Sequence, residues 1–322
     1  MKMNMVSAIN LCLAQEMERD ETVVVMGEDV GVDGGVFRVT EGLLDRFGKD
    51  RVIDTPLSEA GITGTAIGMA MNGLRPVADM QFMGFSYLSL NQMICHAARM
   101  RNRTRGRLTV PMVLRMPYGG GVKALEHHSE STEILYAHFP GLKVVIPSSP
   151  RQAKGLLASS IRDPDPVVFL EPKRSYRLIK EEVPAEEYTI PIGKARVTYE
   201  GDDVTVVGWG AMMPLIEAAR KQLEDISVEV IDLRTLTPMD SVTVVNSVRK
   251  TGRAVVVHEA PRSFGAGAEI SARIMEGAIL HLEAPVERVT APDITVPLPR
   301  SEEYYYISPD RIMRGIAKVM EF

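Results

Sequence analysis

The chain reads as two consecutive α/β domains, each built on a parallel sheet, and three observations predict this. Short β-branched runs alternate with helix-length segments along most of the 322 residues. Strands separated by helices of that length pair in parallel, with helices on both faces. The alternation is interrupted once, between Lys173 and Pro191, by a charged, proline-punctuated stretch carrying Glu181, Glu182, Glu186 and Glu187. A length of 322 residues also accommodates two cores at about 150 residues per domain. The boundaries drawn are 1–180, a linker at 181–200, and 201–322.

In the first series the expected strands are Thr22–Met26, Pro76–Phe82, Val110–Met116, Lys143–Pro147 and Val167–Glu171. The expected helices are Ser7–Arg19, Ser58–Asn72, Ser86–Asn102 and Pro150–Arg162. The second series runs strand Val204–Trp209, helix Met213–Leu223, strand Val228–Leu233, helix Asp240–Lys250, strand Ala254–His258 and helix Gly265–His281. It closes with strand Val286–Val289 and a terminal helix, Pro309–Met320.

A hydrophobic fraction of 45% and a charged fraction of 25% are those of a soluble globular protein. The net charge of -5 leaves no electrostatic footprint for nucleic acid, and the basic run Arg99–Arg107 is too short to mark a membrane surface. Cys12 and Cys95 are too few for a disulfide framework or a zinc site, which fits a reducing compartment. No apolar run reaches membrane-spanning length and Met1–Asn10 lacks signal-peptide features, so the expectation is a cytoplasmic protein.

The helix expected at Ser58–Asn72 is the most informative element. Pro56 stops what precedes it and Ser58 is a good cap. Glu59 stands in its first turn, and no charge follows from Gly61 to Ala70. Gly61, Gly64 and Gly68 each cost about 1 kcal/mol relative to alanine, which close approach of a partner helix would offset. Read alone, Glu59 is either a solvated first-turn acid complementing the helix dipole or a buried functional carboxylate. Other motifs are missing: there is no G-x-x-x-x-G-K-S/T, and no G-x-G-x-x-G joins a strand to a helix. Gly119-Gly-Gly121 reads as an anion loop or a mobile loop. His127 and His128 read as loop histidines, without a third ligand at metal spacing.

The order of blocks is far more specific than any one of them. Gly27-Glu-Asp29, Asp54-Thr-Pro-Leu-Ser-Glu59-Ala-Gly, Gln81-Phe-Met-Gly-Phe85, Gly119-Gly-Gly121 with His127-His-Ser129, Pro140-Gly-Leu-Lys-Val-Val145 and Ile161-Arg-Asp-Pro-Asp-Pro follow one another. Val289-Thr-Ala-Pro-Asp293 and the terminal helix complete the series. From Val6 to Phe322 the chain resembles the beta subunit of the thiamine-diphosphate-dependent decarboxylating component of 2-oxo acid dehydrogenase complexes. The resemblance implies a pyrimidine-binding α/β domain followed by a transketolase C-terminal-like domain.

It further implies that Glu59 hydrogen-bonds the pyrimidine ring nitrogen of the cofactor, with burial strengthening the contact. Phe85 matches the position that stacks on the pyrimidine, Leu57 lines the same pocket, and Glu28 faces the cofactor end from its turn. His128 matches the active-site histidine, suited to proton transfer near neutral pH, which leaves His127 in support or exposed. Ser160, Ile161, Asp163 and Asp165 match a structural potassium site, although an Asp-Pro turn explains Asp163 equally well.

Thiamine enzymes hold magnesium and diphosphate with a Gly-Asp-Gly motif and a later asparagine pair; this chain has neither. The resemblance therefore implies an alpha subunit that supplies that half, in a tetramer of two alpha and two beta chains. It also implies docking to a dihydrolipoyl acyltransferase core, with Asp293 and the carboxylate of Phe322 as candidate contacts. Two residues depart from the pattern: Glu130, where glutamine is expected, and Lys123 in the glycine loop. The run Glu171-Pro-Lys-Arg174 leans toward branched-chain 2-oxo acids, with pyruvate or acetoin as alternatives. A noncatalytic scaffold and a self-sufficient transketolase-like enzyme are the rival functions.

Overall fold

The computed structural model describes residues 1–322 as two packed sheets. The first has seven strands in the spatial order Thr235–Thr237, Lys143–Val145, Val167–Pro172, Val113–Tyr118, Arg75–Asp79, Val23–Gly27 and Val52–Asp54. All pair in parallel except Thr235–Thr237, which is antiparallel to Lys143–Val145. Val23–Gly27, Val113–Tyr118 and Val167–Pro172 are buried along their whole length, as continuous apolar runs in a two-face-covered sheet require. The second sheet has the order Glu287–Ala291, Ala254–Pro261, Val204–Gly208, Val228–Asp232 and Arg196–Tyr199, the last antiparallel.

Helices Met5–Arg19 and Pro150–Arg162 cover one face of the first sheet through Ile9, Leu13, Met17, Leu156 and Leu157. On the other face helix Glu59–Met71 packs with Tyr87–Gln92. The expected helix Ser86–Asn102 is broken by a π turn at Met93–Ala97. The largest core, of 35 buried residues, draws Met26 and Leu114 from the first sheet and Ile231 and Val256 from the second, so one apolar body joins them. No helix is long and apolar enough to cross a membrane.

The stretch expected as a linker carries structure of its own. Glu181–Glu182 pairs with Lys2–Met3, and Arg196–Tyr199 is an edge strand of the second sheet. Between them the strap is held by its backbone: buried Lys154 donates from Nζ to the carbonyls of Pro184 (2.7 Å) and Glu186 (2.8 Å), and Ser159 Oγ donates to Ile190 (2.6 Å). The glutamates signal a solvated outer surface, whereas the attachments run through main-chain atoms that carry no sequence signature.

Candidate active site

Glu28, Leu57, Glu59, Phe85 and His128 all follow the carboxyl ends of parallel strands of the first sheet, where open α/β sheets place their ligands. Strand Val23–Gly27 delivers Glu28, and the turn beyond it is pinned by the Asp54 carboxylate, which accepts from the backbone N–H of Gly31 (2.6 Å) and Val32 (3.1 Å). Gln81 closes the turn from the next strand by donating to Asp29 (2.8 Å).

Glu59 opens its helix and is only 7% exposed. Its Oε2 is buried without a hydrogen-bond partner, while its carbonyl accepts from Ser89 Oγ (3.0 Å). The solvated first-turn reading is therefore excluded. Half-buried Glu28 lies close enough for the two charges to interact: burial, then the charge of Glu59, raises the Glu28 carboxyl above its ordinary range, against a contact from the Ser58 amide. Leu57 is 78% exposed, so nothing in this chain closes the cavity over it.

Phe85 is half-buried, its ring 5.5 Å from Phe82 and 5.2 Å from His128. His128 ends the turn Glu126–His128, packs edge-on against Phe82 at 4.6 Å, and keeps Nδ1 buried and unpartnered. Burial, then the neighbouring charges of His127 and Lys173, lowers its pKa below the ordinary histidine value, so the ring is neutral at neutral pH. His127 is exposed. Glu130 accepts from the Tyr87 hydroxyl (2.5 Å), so the departure from glutamine leaves a paired acceptor.

The glycine loop is packed against side chains of both domains. A Cβ at Gly119 would meet Glu259 Oε1 at 2.3 Å, one at Gly121 would meet Arg174, and Gly120 lies directly under the Tyr306 hydroxyl. The second domain needs glycines here because it sits on the loop backbone. Lys123, with φ +59, projects outward.

Three of the four residues expected at a potassium site, Ile161, Asp163 and Asp165, accept from basic side chains of this chain. Asp163 accepts from Lys143 Nζ at 2.7 and 2.6 Å and from the Asp165 N–H at 2.9 Å, which is the turn reading realised. Arg101 pairs with Asp165 (2.6 Å), Arg75 donates to the Ile161 carbonyl (2.8 Å), and Ser160 Oγ donates within its own helix. The acid assigned to the ion is already neutralised, and no step below uses the ion. Asp293 is exposed and accepts from the N–H and hydroxyl of Ser263 (2.8 and 2.7 Å); Phe322 is 80% exposed.

Several groups escaped the sequence reading. Under the site, Arg115 makes a bidentate pair with Glu171 (2.7 and 2.7 Å) and also binds Asp79, while Tyr176 donates to Glu171 (2.6 Å). All four are buried on strands or turns far apart in sequence. Between the domains lie Glu133, pushed by burial up to about 7, and Glu259, pushed up to about 6. A carboxyl whose folded pKa exceeds its unfolded value takes up a proton on folding. Its stabilising contribution is complete below the unfolded value near 4.5 and is lost as pH rises through the folded one. Glu133→Gln is therefore expected to be more stable than the parent above neutrality, by about 3 kcal/mol, and to lose less stability on going from about pH 5 to pH 8. Chemical unfolding of both proteins at the two pH values checks this; parallel losses would refute it.

Comparison with known proteins shows the family and the fold. Residues 1–179 match the family model for the transketolase pyrimidine binding domain, and 193–312 that for the transketolase C-terminal domain. The "Pyruvate dehydrogenase E1 component subunit beta" of Acholeplasma laidlawii is 56% identical over 98% of this chain and 97% of its own. Its counterpart in Bacillus subtilis (strain 168) is 51% identical over 100% and 99%. A solved "Split gene transketolase, inactive beta4 tetramer" superposes with a TM-score of 0.82, covering 99% of this chain and 98% of its own, at 20% identity, which speaks for the fold alone.

Proposed function

We propose that this chain, which belongs to the beta subunits of the thiamine-diphosphate-dependent 2-oxo acid dehydrogenases, supplies the pyrimidine half of a split cofactor site. With an alpha partner, it decarboxylates pyruvate and passes the acyl group to a lipoyl arm. The observation that carries this reading is Glu59: a buried carboxylate at a helix N-terminus with one oxygen unpartnered. A buried polar atom left without a partner costs about 1–3 kcal/mol, and a pyrimidine ring nitrogen would satisfy it.

Thiamine diphosphate, when bound, supplies the nucleophilic carbon and the electron sink for decarboxylation. The residues of this chain hold and orient it. Glu59 takes the ring nitrogen in a water-poor site, where such a contact is strengthened. Phe85 offers the ring face, exposed Leu57 the pocket edge shared with the partner chain, and Glu28 a second acid that favours holding a proton beside Glu59. His128, its pKa lowered by burial so that the neutral imidazole is favoured, accepts or returns a proton during acyl transfer. The sequence lacks the Gly-Asp-Gly motif and asparagine pair that hold magnesium and diphosphate in thiamine enzymes, so both are assigned to the alpha chain. Asp293 and the Phe322 carboxylate are the acids assigned to the acyltransferase contact.

Pyruvate replaces the branched-chain substrate favoured by the run Glu171-Pro-Lys-Arg174. The curated relatives are named for pyruvate, and the run has structural partners: Glu171 serves Arg115 and Tyr176, and Lys173 a backbone carbonyl. It therefore does not report acyl length. Steady-state assay of the chain co-assembled with an alpha partner tests this. The expected result is a higher kcat/KM on pyruvate than on 3-methyl-2-oxobutanoate; the reverse order would restore the branched-chain assignment.

The glycine helix supports the partner. A Cβ at Gly68 would meet nothing within 4 Å, and one at Gly64 would make only ordinary contact with Gln92, so this chain alone does not require glycine at either place. Gly68→Leu is expected to leave the isolated chain folded and abolish assembly. Sizing chromatography with circular dichroism reads both, and an intact tetramer would contradict the close-packed junction.

A further inference from the structure

We propose that Lys173 is a positioning residue for the His128 loop, a stretch that Glu302 and Tyr306 of the second domain also hold. The inference rests on the role given to His128 above. Lys173 follows strand Val167–Pro172 and is only 4% exposed. Its ammonium donates to the His128 carbonyl and sits 5.3 Å over the Phe82 ring, the same ring that packs against the His128 imidazole. One cation therefore fixes both the backbone of the histidine and the wall its side chain rests on.

A buried ammonium needs opposite charge to stay protonated. Burial pulls Lys173 down to about 8, and the charges of Glu259 and Glu302, both from the second domain, oppose the fall. The same two acids hold the glycine loop that leads into the histidine turn: Glu302 accepts from the Gly121 N–H (2.7 Å), and Glu259 lies against Gly119. Tyr306 adds a third staple by donating to the Ser129 carbonyl (3.3 Å). The second domain thus helps set where the catalytic-loop histidine stands, through Glu302 and Tyr306, and Lys173 does so from the first domain.

The test uses the assembled tetramer. Lys173→Met is expected to lower kcat for lipoyl acylation about 10²-fold, the cost of displacing a reacting group by about 1 Å. KM for pyruvate and affinity for thiamine diphosphate should stay near wild type, because the Glu59 end is untouched. Lys173→Arg, which keeps a donor cation, should recover much of the rate. The double variant Lys173→Met/Glu259→Gln removes one of the two buried acids nearest the lost cation and leaves Glu302 on the Gly121 N–H, so it serves if the single variant fails to assemble, and it should remain slow. Wild-type kcat in the double variant, or a Lys173→Arg enzyme no faster than Lys173→Met, overturns the proposal. A wild-type tetramer without thiamine-dependent turnover would instead overturn the functional reading, and this proposal with it.

Discussion

Glu59→Gln is expected to lower thiamine-dependent turnover of the assembled enzyme by about 10²–10³-fold, the range found when a preorganised hydrogen-bonding group is removed from a water-excluded site. The substitution keeps volume and shape but replaces the acid that holds the ring nitrogen with an amide. Stability should not suffer, because Oε2 has no partner within the chain to lose; relieving a buried acid would even raise the unfolding midpoint slightly. Turnover with thermal unfolding separates the two effects. A normal rate would remove Glu59 from the chemistry and favour the noncatalytic scaffold.

Arg115→Met carries the largest expected effect on stability. The guanidinium and the Glu171 side chain are essentially inaccessible, with Asp79 beside them. Removing the cation leaves two acids buried together, and breaking such a pair costs about 3–5 kcal/mol. Asp79 is already pushed up to about 6 by burial, which outweighs the help it receives from Arg115, so it will be the first to take a proton in the variant. Replacing all three by apolar residues, Arg115→Met with Asp79→Leu and Glu171→Leu, should recover most of the loss. Chemical denaturation measures both; a single variant as stable as wild type would show that the cluster is not a desolvated ion group. Because Arg115 and Asp79 line one small cavity with Glu28, the single variant should also weaken cofactor binding.

What was legible in the sequence follows from which interactions are local. The terminal helix Pro309–Met320 and the helix Pro150–Arg162 fall where their patterns place them, since apolar spacing and a proline in the first turn are local signals. The buried strands fall within a few residues of their apolar runs. Strands Val52–Asp54 and Thr235–Thr237, three residues each, have no room for a pattern and exist because a neighbouring edge is available. Thr235–Thr237 also joins the sheet of the other domain, which no boundary drawn from composition would place there.

The site divides in the same way. Glu28, Glu59, Phe85 and His128 sit in ordered motifs and were recognisable through resemblance to a family. Lys173, Glu259, Glu302 and Tyr306 converge on this loop from up to 181 residues away, and the only trace of the last three in the sequence is the row of glycines they touch. Those glycines, read as an anion loop or a mobile loop, carry contacts from the second domain: Glu259 against Gly119, Tyr306 against Gly120 and Glu302 on the Gly121 N–H.

The central claim is that the cofactor site is divided between two chains, and thiamine diphosphate binding tests it most directly. Isothermal titration with magnesium present, on the chain alone and co-assembled with an alpha partner, should show binding only in the assembly. Tight binding by the chain alone would contradict the account, since this chain would then hold the diphosphate itself.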